Sequence, residues 1–224
     1  MPALALEFFL LFFVAPALFT VIRHRIPAIP ALWVLAAYCL YVLWHDPLFD
    51  RRFLWNASAL YSSVGGVLSL FVPACTLGIF LVRYFAPDLF LNFPRSKPLV
   101  WGAVMLLYPV LSVYPQGIVY RAFIFQRYQH LFPAGWEILV ASAAAFAFVH
   151  IVFRNLLAVG LTFVAGLLFS ARYMQTDSLL VSSLEHALYG CAIFTIGLGQ
   201  SFYYRAQVLQ SGKEVPDVGK PVQT

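Results

Sequence analysis

Long apolar runs alternate with short polar connections along this chain. The runs cover roughly residues 4–22, 29–44, 64–85, 99–113, 136–153, 156–173 and 179–198. Runs of about this length cross a bilayer core as helices. They are continuous rather than alternating, so helices and not a β-barrel must satisfy the backbone in lipid. The predicted fold is therefore all-α: a polytopic membrane protein with about seven transmembrane helices.

The connections carry the punctuation. Arg23, His24 and Arg25 close the first run, and Trp33 and Trp44 lie near the ends of the second as interfacial anchors. The stretch HDPLFDRRFLWNAS reads as an exposed loop with a short interfacial helix, and APDLFLNFPRSKP as a loop. Pro109 and Pro115 are expected to bend or break the fourth helix, because each removes a backbone donor. The helix resumes over YPQGIVYRAFIFQRY and ends at Pro133 and Gly135. Asp177 or Ser178 is placed to cap the seventh helix. Gly160 and Gly166 allow close helix approach. The first half, 1–98, reads as N-terminal helices, 99–199 as a functional core, and 200–224 as a polar, disordered tail.

Composition sharpens the class. Residues are 62% hydrophobic and 10% charged, against about 25% charged in a soluble domain. The net charge of +5 is spread singly or in pairs between apolar runs, which fits membrane-flanking anchors and excludes a nucleic-acid role. If YPQGIVYRAFIFQRY does not span by itself, basic residues in the first loop, the third loop and the tail fall on one side, which the positive-inside rule makes cytoplasmic; Arg51 and Arg52 in the second loop oppose this, partly balanced by nearby acids. Cys39, Cys75 and Cys191 lie far apart in apolar runs without metal-ligand spacing, so they read as buried small hydrophobes. The first run lacks a basic leader and is expected to be a retained helix, not a cleaved signal.

Against this apolar background a few polar residues stand out. Arg121 lies in the fourth helix, His150 ends the fifth, and Glu185 and His186 lie in the seventh. Ser178, Ser182, Glu185, His186 and Tyr189 share one helical face. Polar groups in lipid are costly and are expected to converge on a protein-lined site. Arg127, His130, Arg154 and Arg172 lie near helix ends and read as snorkelling anchors. Arg121 needs an anion, and Glu185 is the carboxylate on these helices nearest a motif histidine.

Three segments resemble the motifs of the CPBP family, which comprises type II CAAX prenyl proteases and bacteriocin-processing intramembrane proteases. QGIVYR aligns with Glu-Glu-x-x-x-Arg, FAFVH matches Phe-x-x-x-His, and HALYG aligns with His-x-x-x-Asn. The resemblance covers about 99–199 and implies an intramembrane peptidase acting on a membrane-associated peptide or protein. It assigns His150 to water activation, His186 to the oxyanion or to ligand binding, and Arg121 to an ion pair that holds the site. It leaves open a divalent metal such as zinc on His150 and His186. Lipid and a peptide or protein substrate are the implied partners, and a bacterial inner membrane is the implied location.

The sequence departs from the pattern at Gln116, Gly117 and Gly190, which replace the two glutamates and the asparagine. A glutamine amide accepts no proton at useful pH, so base catalysis from Gln116 fails. Two readings stay open. In one, the chain is a divergent endopeptidase in which Glu185 replaces the lost carboxylates. In the other, it is a pseudoprotease that binds a peptide, lipid tail or partner helix. A transporter would call for inverted repeats, which the sequence lacks.

Overall fold

The computed structural model describes residues 1–199, so the expectation of a disordered polar tail lies outside the described residues. Seven helices are long and apolar enough to cross a membrane: α1 (Pro2–Ile22), α2 (Ala28–His45), α3 (Ser58–Phe85), α4 (Pro98–Leu131), α5 (Trp136–Phe153), α6 (Leu156–Thr176) and α7 (Leu179–Ile196). Among the described residues there is no strand. The chain is an integral, multi-pass helical membrane protein.

α4 is the helix on which the others assemble. Neither Pro109 nor Pro115 breaks it. Instead, its hydrogen bonding widens to a π register over Pro109–Val113 and again over Ile118–Phe123. The amide of Tyr114 thus reaches back to the Pro109 carbonyl. The wider turn makes room for the proline rings. The Leu111 carbonyl, whose α-helical donor would be Pro115, takes the indole N–H of Trp33 at 3.0 Å. This tryptophan therefore repairs a neighbouring helix, a role beyond that of an interfacial anchor.

The short turns before α6 and α7 share one design. Arg154 and Asp177 adopt left-handed backbone, with φ of 52° and 46°. The next residue caps the helix: the Asn155 side chain accepts from Leu157 and Ala158, and Ser178 accepts from Val181. These caps fold α5, α6 and α7 into tight hairpins. Gly166 permits the α5–α6 approach, since a Cβ there would lie 3.0 Å from the Ala143 Cα. Ser142 donates to the Tyr120 carbonyl of α4 at 2.5 Å and lies 2.8 Å from Ser170, joining three helices. Gly160 meets nothing, so only one of the two expected close-approach glycines acts as one.

The N-terminal helices share this core. Phe12 and Cys39 are buried with Tyr120, Phe123 and Tyr128. Glu7 of α1 accepts from Arg127 at 2.6 and 2.8 Å and from the Tyr128 hydroxyl at 2.8 Å. Arg127 is thus a partner in an interhelical clamp, where a free snorkelling anchor was expected. A half-buried acid on α1 is accommodated because the cation and the phenol meet it together.

Candidate active site

Arg121 lies in the second π stretch of α4 and is 1% exposed. Its guanidinium carbon sits 5.1 Å from the Phe169 ring centre and 5.5 Å from that of Phe146. One amine, Nη2, faces His186 Nδ1 at 3.4 Å. The other, Nη1, has no hydrogen-bond partner, and neither has the buried Ser183 hydroxyl. Both border Gly117: a Cβ there would lie 3.3 Å from Nη1 and 2.9 Å from Ser183 Oγ. The missing side chain at 117 is therefore the one that would have met these groups.

His186 is held on three sides. Its ring stacks on Phe169, with centres 4.6 Å apart, and meets Phe146 edge-on at 5.3 Å. Arg121 can only donate, so Nδ1 must be the accepting nitrogen and Nε2 carries the proton. Nε2 then points its N–H at the Tyr108 hydroxyl, 3.4 Å away. Both separations are long, so each bond is weak.

His150 packs on the Phe146 ring as well, with centres 4.8 Å apart. Its Nδ1 donates to the Phe146 carbonyl at 2.7 Å. That bond fixes the tautomer and leaves Nε2 as a proton acceptor. The two motif histidines are thus brought to one ring, Phe146, from α5 and α7. Arg121, His150 and His186, from α4, α5 and α7, all lie against the Phe146 ring.

Two other expected site residues lie elsewhere. Glu185 does not neutralise Arg121. It is fully buried and accepts from Arg172 Nε at 2.8 Å and Nη2 at 3.2 Å. Arg172, read from sequence as a snorkelling anchor, is instead a buried ion-pair partner. The pairing follows from helix geometry: α7 returns along α6 after a two-residue turn, and the face carrying Glu185 turns toward α6. Ser182 on the same face donates to the Phe169 carbonyl at 2.7 Å. Gln116 keeps to its own helix, donating to Ser112 Oγ at 2.7 Å.

Tyr108 was absent from the sequence reading. It fills the space next to Gly190, where any Cβ would overlap its ring. An asparagine at 190 would have no room while Tyr108 stays. A bulky aromatic on α4 has taken the place of a side chain on α7. The signal was a glycine at a position that the motif gives to a larger residue.

The donor set does not suit a metal. Structural and catalytic zinc sites take at least three protein ligands, and among the described residues no group of three His, Cys, Asp or Glu could hold an ion. The accepting nitrogen of His186 also faces a guanidinium, which opposes a dication. What the geometry offers is a cluster of donors: the buried Arg121 and His186 Nε2–H, and the partly buried Tyr108 hydroxyl.

Neither the curated proteins nor the solved structures gave a match. Residues 97–192 match the family model described as type II CAAX prenyl endopeptidase Rce1-like. The matched segment contains Gln116, Gly117, Arg121, His150, His186 and Gly190, together with Tyr108 and the Arg172–Glu185 pair. Over this core, residues 97–192, the chain is similar to the Rce1-like, type II CAAX prenyl endopeptidases.

Proposed function

We propose that this protein keeps the substrate-holding half of an intramembrane endopeptidase site and lacks the half that activates water. It binds a membrane-associated peptide or protein segment against Tyr108, His150 and His186 and releases it uncut. The observation that carries this reading is the fate of the carboxylates. Glu185 is spent on Arg172, and Gln116 and Gly117 supply none. Peptide hydrolysis needs a base or a metal to make water nucleophilic near neutral pH. The polar donors that remain favour recognition of a carbonyl: two N–H-bearing groups and a phenol in an aromatic, low-dielectric setting. The lipid around the seven helices supplies the second partner. A bacterial plasma-membrane location rests on the family resemblance alone.

A second reading has one observation in its favour. His150 has Nε2 free to accept a proton, because Nδ1 is committed to the Phe146 carbonyl. In that reading His150 alone activates water while Tyr108 and His186 donate to the oxyanion, giving a slow endopeptidase.

Photo-cross-linking tests the binding claim. Membrane peptides with a diazirine are presented to the full chain in nanodiscs, and adducts are mapped by mass spectrometry. We expect saturable adducts on Tyr108 or nearby residues of α4 and α7, with the peptide mass intact. Adducts spread over the lipid-facing surface, or shortened peptides, would overturn the proposal.

A further inference from the structure

Alternate crossing by seven helices separates the charges of the described residues sharply. The face that holds the end of α1, the α3–α4 connection and the α5–α6 turn carries Arg23, Arg25, Arg83, Arg95, Lys97 and Arg154 against the single acid Asp88. The opposite face carries Arg51, Arg52 and Arg127 against Glu7, Asp46, Asp50, Glu137 and Asp177. The first face is thus the cytoplasmic one by the positive-inside rule.

Within that face, one corner is built differently from the rest. Arg23 leaves the end of α1 and donates through Nη1 to the carbonyl of Val152, in the last turn of α5. This bond holds the guanidinium at the α1–α5 seam. Its other amine, Nη2, is buried and has no partner. Arg154, two residues beyond Val152, is exposed and sits on left-handed backbone. Arg25 and His24 complete the corner, with Arg25 Nε 3.2 Å from His24 Nε2. Ion pairs among the described residues are Arg52–Asp50, Arg127–Glu7 and Arg172–Glu185, so no acid pairs with any of these four. The first amides of α6 are taken by Asn155, so any anion here must be held by side chains.

We propose that this corner is a binding site for the headgroup of an anionic phospholipid. A guanidinium fixed at the α1–α5 seam, with one amine left without a partner, and an exposed arginine two residues beyond its acceptor carbonyl concentrate positive charge suited to phosphate oxygens. Their position at the ends of α1 and α5 is the depth of the lipid phosphates. Basic clusters between helices on the cytoplasmic side take acidic headgroups for the same reason. The ligand is the lipid and not free phosphate, because the exposed apolar flank of α1, with Leu18, Val21 and Ile22, offers the acyl chains a surface.

The test is native mass spectrometry of the full chain with phosphatidylglycerol, phosphatidylcholine or inorganic phosphate. We expect phosphatidylglycerol to bind at least tenfold more tightly than phosphatidylcholine. Arg154→Gln and Arg23→Gln should each weaken it about fivefold, as one arginine near an acidic lipid surface implies. Arg95→Gln, on the same face but in the segment that packs on α7, should leave it unchanged. Should Arg23→Gln fail to fold after losing the Val152 bond, Arg154→Gln decides. Equal binding of the two lipids, an equal loss in Arg95→Gln, or full competition by millimolar phosphate would overturn the proposal.

Discussion

Changing Glu185 to glutamine removes one charge and almost no volume. The structure makes that a costly change. Glu185 is wholly buried, and the Arg172 side chain is only 10% exposed. Two hydrogen bonds join them, at 2.8 and 3.2 Å. A glutamine can accept one of these bonds but must turn its amide donor toward the other guanidinium N–H. Arg172 is then a cation in the bundle with no counter-ion, for which losses run to about 3–5 kcal/mol. Arg172 lies one turn from the end of α6 and can lean toward the interface, so about 3 kcal/mol is the expected value. The assay is unfolding of purified protein in detergent, with a double-mutant cycle. Glu185→Gln and Arg172→Met should each destabilise strongly. The double variant Glu185→Gln, Arg172→Met should recover at least about 2 kcal/mol of the summed losses, because it leaves no unpaired charge. If Glu185→Gln unfolds as the wild type does, the carboxylate is not committed to Arg172 and the argument against catalysis by Glu185 fails.

Other variants probe the rest of the site. Arg121 has aromatic faces and a histidine but no carboxylate beside it, so Arg121→Met should keep or raise stability, since an uncompensated buried charge is removed; a loss above about 2 kcal/mol, the scale of a strong cation–π contact, would show that those contacts outweigh the missing counter-ion. Gly190→Ala should cost about 1–3 kcal/mol through overlap with Tyr108, and Tyr108→Ala in the same chain should relieve the overlap; additive losses in the cycle would refute it. Gly117→Glu places a carboxylate beside Arg121 Nη1, at the expense of shifting Leu179 Cδ1 and Ser183 Oγ. That variant should be at least as stable as wild type by thermal unfolding, and a marked drop would mean the gap is too tight for the side chain.

How far the sequence could be read depended on whether each partner was local. The seven spans were legible because a membrane helix announces itself by length and apolarity alone. The Ser178 cap was legible for the same reason, since it concerns its own next turn. The continuity of α4 was not, because it depends on π turns and on the Trp33 indole from another helix. The partners of Arg127 and Glu185 were missed for a related reason. Glu7 is 120 residues from Arg127, and Arg172 reaches Glu185 across a hairpin turn. Helical spacing rules see only three or four residues along one helix. Arg121, His150 and His186 were found because polar residues in apolar runs are conspicuous. Tyr108 was hidden because an aromatic in such a run looks like any other core residue.

The claim that this site binds without cutting is tested most directly by a cleavage assay on the purified full chain. Membrane-associated peptides from a broad panel are incubated with the wild type, with His150→Ala, and with the variant Gln116→Glu, Gly117→Glu, Gly190→Asn, Tyr108→Ala, which restores both carboxylates and the asparagine and clears its space. Products are read by mass spectrometry. The account predicts intact peptide with the wild type and with His150→Ala alike, and new products only with the restored chain. Turnover by the wild type that disappears in His150→Ala would contradict it and establish the histidine-based peptidase instead.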